Sequence, residues 1–144
     1  MTATADASFL VSLYGGDVHT GVAAGWMAAH ATPLFLTPPL RFETENALRL
    51  ARFRNLLPAD ELQRALTDIA NDLAVGILVA RQLPADRLWR ECQRLSTSHT
   101  LVVGSRAFDI LHVAAALLLK ADTLLSFDAR QRSLATACGL RVEP

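Results

Sequence analysis

The chain has 144 residues, 51% hydrophobic and 19% charged, and its fourteen basic and fourteen acidic groups cancel to a formal charge of zero. That size and apolar content suit one domain with a proper core and exclude a disordered chain. The charge balance excludes a general attraction to nucleic acid, so any basic patch has to be local. Thirteen of the fourteen basic residues are Arg and only Lys120 is Lys. Arginine suits bidentate binding of phosphate, although a GC-rich genome produces the same bias. Cys92 and Cys138 form no CxxC pair, so neither a zinc site nor a disulfide framework is signalled. Both read as small buried apolar residues in a reducing compartment. No basic-then-apolar leader opens the chain, and the longest apolar run, ILHVAAALLL, is too short to span a bilayer. A cytoplasmic protein without a membrane partner is the expectation.

No repeat or linker interrupts residues 1–144, which read as a single domain. Ala3 to Ala5 predicts a very short strand, then Asp6, then a helix. Residues 17–31 predict a second helix. PLFL gives a short strand at 34–36, broken by Pro38 and Pro39 before the helical pattern RFETENALRLARFRNLL. Leu57-Pro58-Ala59-Asp60 signals the start of a helix over 60–72. LAVGILVAR, 73–81, reads as a central strand ended by Pro84. ADRLWRECQRLS is an amphipathic helix with Leu88, Trp89, Cys92 and Leu95 on one side. Arg106 to Lys120 predicts a long apolar helix, 123–127 a strand, 129–138 a helix stopped by Gly139, and LRV a last strand. Strands alternating with helices indicate an α/β fold in three layers, with a central, mostly parallel sheet.

Ligands of open parallel sheets sit beyond the carboxyl ends of the strands. Asp6 follows the first strand, Asp128 follows strand 123–127, and Asp109 lies in the first turn of the apolar helix. Glu43 or Glu45 is a fourth candidate, and periodicity separates them. Glu43 shares a face with Asn46, Ala47 and Leu50, whereas Glu45 pairs with Arg49 at i+4 on the solvated face. Glu43 is the inward acid. Each acid also has a structural reading: Asp6 as a helix cap, Asp128 with Gln131 as a capping box, Asp109 as a complement to the helix dipole. Taken together, four acids at one sheet edge repel each other unless a cation sits among them. An all-oxygen set suits Mg²⁺ or Mn²⁺ rather than zinc.

Asp6-Ala7-Ser8, Glu43-x-x-Asn46-Ala47-Leu48, Arg106-x-x-Asp109-x-Leu111-His112-Val113-Ala114 and Leu125-Ser126-Phe127-Asp128 closely resemble the PIN-domain nucleases. Within them the chain looks most like the VapC-type toxins of bacterial toxin–antitoxin pairs. The resemblance covers nearly the whole chain and is most specific over 106–142. It implies a Mg²⁺- or Mn²⁺-dependent ribonuclease that acts on RNA, is held inactive by a cognate antitoxin and is usually homodimeric. Asp6, Glu43, Asp109 and Asp128 match the family's acidic quartet. Ser126 stands where Thr is common, and Thr44 where an aliphatic residue is usual.

On that reading the acids hold one or two divalent ions, Asp6 and Asp109 binding directly and Asp128 and Glu43 completing the shell partly through waters. Ser8 and Asn46 are expected to fix carboxylate rotamers. Arg106, one turn before Asp109, is a candidate for phosphate or for an internal ion pair. Arg41, Arg49, Arg52, Arg54, Arg130 and Arg132 are further cations, with Arg49 and Arg52 read as solvated. His112, at i+3 from Asp109, reads as a hydrogen-bonded core residue and stays outside the catalytic set. Trp26 and Trp89 suit the core or a partner contact, and the 17–31 and 60–98 helices suit dimer and antitoxin contacts. A phospho-receiver needs paired early acids and a late Lys, and a haloacid-dehalogenase-type phosphatase needs D-x-D after the first strand; neither pattern is present. The rival that stays open is a catalytically silent PIN-like binding or scaffold module.

Overall fold

Ala3-Thr4-Ala5 is buried on both sides, as only a strand in the middle of a sheet can be. The computed structural model, which describes all of residues 1–144, places it there. Five strands, β1 (Ala3–Ala5), β2 (Leu34–Leu36), β3 (Leu78–Ala80), β4 (Thr123–Leu125) and β5 (Arg141–Glu143), pair in parallel in the order β3-β2-β1-β4-β5. Seven helices intervene: α1 (Ala7–Gly15), α2 (Thr20–His30), α3 (Pro38–Phe53), α4 (Ala59–Val75), α5 (Ala85–Val103), α6 (Ala107–Leu118) and α7 (Ala129–Ala137). The chain winds outward from β1 on one side and returns past it to start β4 on the other. The direction of winding therefore switches between β1 and β4, where the crevice of an open α/β sheet lies.

Two apolar cores sandwich the sheet, giving the expected three layers. Phe9, Leu10, Trp26, Leu40, Leu48 and Ile69 bring α1 to α4 onto one face. Leu88, Leu95, Val113, Ala114 and Leu134 bring α5 to α7 onto the other. Helix α6 is buried continuously from Ile110 to Ala116, which is why its sequence lacks an amphipathic rhythm. Its alanines and the small side chains of β1 let the two elements approach closely.

Several boundaries differ from the sequence-based expectation. The central strand expected over 73–81 shrinks to Leu78–Ala80, because 73–75 complete α4 and Gly76 caps it in a left-handed conformation at φ 84°. The glycine inside the apolar run was the stop signal. Helix 85–96 runs on through polar residues to Val103, where Gly104 caps it. Pro38 and Pro39 occupy the first turn of α3 and so begin that helix rather than merely break a strand. Strand 123–127 ends at Leu125: the Ser126 N–H still donates to Glu143 O of β5, but the Phe127 N–H leaves the sheet for Ser8 Oγ. The helix expected from 17 starts at Thr20. Trp26 is a core residue, but Trp89 is 58% exposed and faces solvent rather than sharing the buried side of Leu88 and Leu95. Both cysteines are half-buried rather than fully so, and burial pushes both thiols up.

Thr44 is fully buried in α3, and its hydroxyl has no hydrogen-bond partner. It fills the place of an aliphatic side chain and leaves a polar atom stranded. Replacing it with the near-isosteric valine, Thr44→Val, is expected to stabilise the fold by about 1 kcal/mol. Chemical denaturation of the two proteins measures this as a higher midpoint at unchanged slope.

Candidate active site

Asp6 leaves β1 in register opposite Ser126, which leaves β4, and the Asp6 N–H donates to Leu125 O at 3.0 Å. Both residues thus stand at the carboxyl end of the sheet, at the switch in winding. Asp6 is only 4% exposed. Its Oδ1 accepts from the Ser8 hydroxyl at 2.6 Å and from the Phe9 N–H at 3.1 Å, while Oδ2 accepts from the Ser126 hydroxyl at 2.6 Å. Asp6 is therefore also the N-cap of α1, as its structural reading requires. Even so, burial pushes its carboxyl above the ordinary carboxylate range, against Ser126, Ser8, Phe9 and His112, which pull it down.

Asp128 and Asp109 connect to Asp6 through hydrogen bonds of Ser126 and Gln131. The Asp128 N–H donates to Ser126 Oγ at 3.0 Å, and the Phe127 N–H donates to Ser8 Oγ at 2.9 Å. One pair of serines therefore holds both the β1 end and the β4 end. Asp128 caps α7, its Oδ1 accepting from the Arg130 and Gln131 N–H groups. The Gln131 amide, fully buried, does not close the expected capping box. It donates instead to the Asp109 carbonyl at 3.1 Å, tying α7 to α6. Asp109 accepts from the Arg106 N–H at 2.9 Å. Across the site, Glu43 is hydrogen-bonded to Nε2 of His112, a residue 4% exposed. Electrostatically, His112 also reaches Asp6.

Residues 3–137 match the family model of the PIN domain. The chain belongs to the PIN-domain family. Its fold is similar to that of Mycobacterium tuberculosis VapC20, described as a sarcin-ricin loop cleaving toxin, at a TM-score of 0.74 and 19% identity, covering 99% of this chain and 100% of that one. It is also similar to PAE2754 from Pyrobaculum aerophilum, at a TM-score of 0.61 and 17% identity, over 99% of this chain and 90% of that one. Compared by sequence with curated proteins, the chain matches none.

In this PIN domain Ser8 touches Asp6, as a residue expected to fix a carboxylate rotamer should, and Ser126, for which only a hydroxyl near the site was expected, holds the other Asp6 oxygen. Asn46 does not follow suit: it is exposed on α3 and hydrogen-bonds to none of the acids. The faces of α3 also differ from the expectation: the helix buries Leu40, Thr44 and Leu48, and the Glu43 side chain is 35% exposed against 21% for Glu45. Glu43 is directed to the site by His112, while Asn46 stays on the open face. Arg106 forms no ion pair; its guanidinium is exposed and only its backbone N–H engages Asp109. Arg41 and Arg49 are both engaged by Glu45, and Arg132 donates to the Ser126 and Pro144 carbonyls, so none of the three is a free cation. His112 reads correctly as a hydrogen-bonded buried residue, but its partner is Glu43. No local signal in the sequence marks that pairing.

The donor set fits a hard divalent ion in its chemistry. Every group is an oxygen, and each carboxylate keeps acceptor capacity beyond its protein hydrogen bonds: Asp6 at Oδ2, Glu43 at Oε1, Asp109 at Oδ1 and Asp128 at Oδ2. Asp109 and Asp128 turn their other oxygens onto helix N-termini. As the side chains stand, no group of three or more His, Cys, Asp or Glu is set to hold an ion.

A carboxyl raised by burial opposes folding once ionised. Stability linked to Asp6 is full below the unfolded-state pKa and is lost as pH rises through the raised folded-state value. In EDTA at neutral pH, Asp6→Asn is therefore expected to melt above the wild type. The gap should close as the pH falls and the wild-type carboxyl protonates. Thermal denaturation across that range measures both; a wild type more stable than the variant at neutral pH would contradict the assignment.

Proposed function

We propose that this single PIN domain is a Mg²⁺- or Mn²⁺-dependent endoribonuclease and the toxin of a cytoplasmic toxin–antitoxin pair. The observation that carries the reading is the nearly buried Asp6 carboxylate, gripped by Ser8 and Ser126 at the switch point of a PIN-family sheet. Such a group is costly to keep ionised without a cation, and an acid kept only for capping has no need of that depth. The similarity in fold to a toxin described as cleaving RNA adds weight on the substrate class.

Asp6, Asp109, Asp128 and Glu43 would hold the ion. When bound, it supplies positive charge against a phosphodiester and makes a nearby water more acidic. The rest is the work of the chain. Ser8 and Ser126 fix the Asp6 rotamer and favour its ionised form. His112 holds one oxygen of Glu43, leaving Oε1 to orient a water or take its proton. Gln131 couples α7 to α6 and so keeps Asp128 and Asp109 in step. Exposed Arg106 and Arg130 flank the acids and are the cations available to RNA phosphates. Cognate antitoxin and homodimer contacts are part of the proposal. They are supported by apolar side chains that the fold leaves uncovered, among them Trp89, Leu101 and Val102 on α5. No helix is long and apolar enough to cross a membrane.

The competing reading is a catalytically silent module, and the unconverged carboxylates favour it. Calorimetric titration with Mn²⁺ separates the two, since a silent module takes up little or none. For the nuclease, Mn²⁺-dependent cleavage of a fluorescent RNA is expected to stop with EDTA and to be lost in Asp6→Ala and Asp109→Ala. His112→Ala, which removes the support of Glu43 and the favourable charge near Asp6, is expected to lower the rate by roughly 10- to 100-fold. Unchanged cleavage in purified Asp109→Ala would refute the assignment.

A further inference from the structure

His19 lies outside every role assigned above. It is exposed, yet its imidazole is stacked flat on Phe127, with centroids 4.4 Å apart and planes 11° from parallel. Phe127 in turn stacks on the fully buried Phe9, at 5.7 Å and 15°. Three nearly parallel rings thus lead from the core to solvent. Phe127 sits between Ser126 and Asp128 in the chain, and its N–H is held by Ser8, so this column surfaces at the lip of the acidic site.

The turn before α2 holds His19 still. Asp17 accepts from the His19 N–H at 2.8 Å and from the Ser12 hydroxyl at 2.8 Å. Thr20 accepts from the Asp17 N–H at 2.7 Å and donates to the Ser12 carbonyl at 2.6 Å. Asp17 and Thr20 therefore tie this turn to the end of α1, and His19, the N-cap of α2, makes no capping hydrogen bond through its side chain. Neither does its ring bind a protein group through nitrogen, in contrast to His30 on Trp26 O and His112 on Glu43. An immobile aromatic face with a free polar edge, beside a phosphodiester site, is what single-stranded RNA recognition uses.

We propose that His19, backed by Phe127, is a stacking platform for an unpaired nucleobase next to the scissile phosphate. The inference rests on the RNA-cleaving reading and adds to it a residue that sets the place of one base beside the site. Stacking recognises the π-face, so the platform sets the position of one base with little regard to its identity. His19 is a positioning residue, acting on where the strand lies.

The test uses single-stranded RNA 12-mers carrying one 2-aminopurine, scanned along the strand, and matched strands with an abasic site instead. Binding is measured in EDTA, so no cleavage is needed. The wild type and His19→Tyr are expected to quench 2-aminopurine at one position and to bind the intact strand more tightly than the abasic one, by about fivefold or more. His19→Ala should bind the intact strand no better than the abasic strand, with an unchanged melting temperature. Retention of the quench and of the full preference in His19→Ala overturns the inference. So does an equal loss of affinity for intact and abasic strands, which would mark a role in structure or charge. A wild type that neither binds nor cleaves RNA would sink the RNA-cleaving reading itself, whereas one that cleaves normally without the preference sinks only the platform.

Discussion

A carboxylate almost out of reach of water at the end of the central strand is the constraint around which the rest is arranged. Asp6 follows β1, the central strand of five, which has a neighbour on each side and helices over both faces. It needs Ser126 across the register and Ser8 in the first turn of α1, because an ionised group at that depth requires donors. Those two serines then take the backbone N–H groups of Phe127 and Asp128, so the requirement of one acid determines where another emerges. Small residues on β1 and α6 bring the Asp109 helix close to the same strand. Each of these choices is local, and together they form one edge.

Much of this was legible in the chain. The α/β alternation and the apolar helix after Arg106 follow from spacing, whereas spacing misjudged α3, whose buried face is that of Leu40, Thr44 and Leu48 and whose Glu43 is turned to the site by His112. The ion pair of Glu45 with Arg49 is found, with Arg41 added on the opposite turn. Boundaries were less legible where one residue type serves two structures. Gly76 stops a helix inside an apolar run that scans equally well as strand, and polar 97–100 carry no helical apolar rhythm although they continue α5. The capping and ligand readings of the acids turn out to be compatible. Asp6 and Asp128 cap helices with one oxygen and retain capacity on the other, so the pattern DxxQ could not decide between the two. The partner of His112 lies 69 residues away, and no local pattern carries contacts of that kind.

The site also divides its groups by how firmly they are held. Asp6 is fixed on both oxygens by three donors, and Glu43 is fixed on one by a buried histidine. Asp109 and Asp128 are tied only to the backbone of their own helices, at half-exposed positions. An ion entering from solvent would thus meet two rigid acids and two adjustable ones, an arrangement suited to a metal that keeps several of its waters. Outside that ring, the column of Phe9, Phe127 and His19 extends the rigidity of the core to the rim, where a long flexible polymer has to be positioned.

The central claim is that the four acids share one divalent ion. Anomalous scattering from crystals equilibrated with Mn²⁺ tests it directly, because the signal locates the ion without reference to activity. A single strong peak enclosed by Asp6, Glu43, Asp109 and Asp128 is expected. Saturation with Mn²⁺ that leaves this position empty, or that places the ion elsewhere on the surface, would contradict the account.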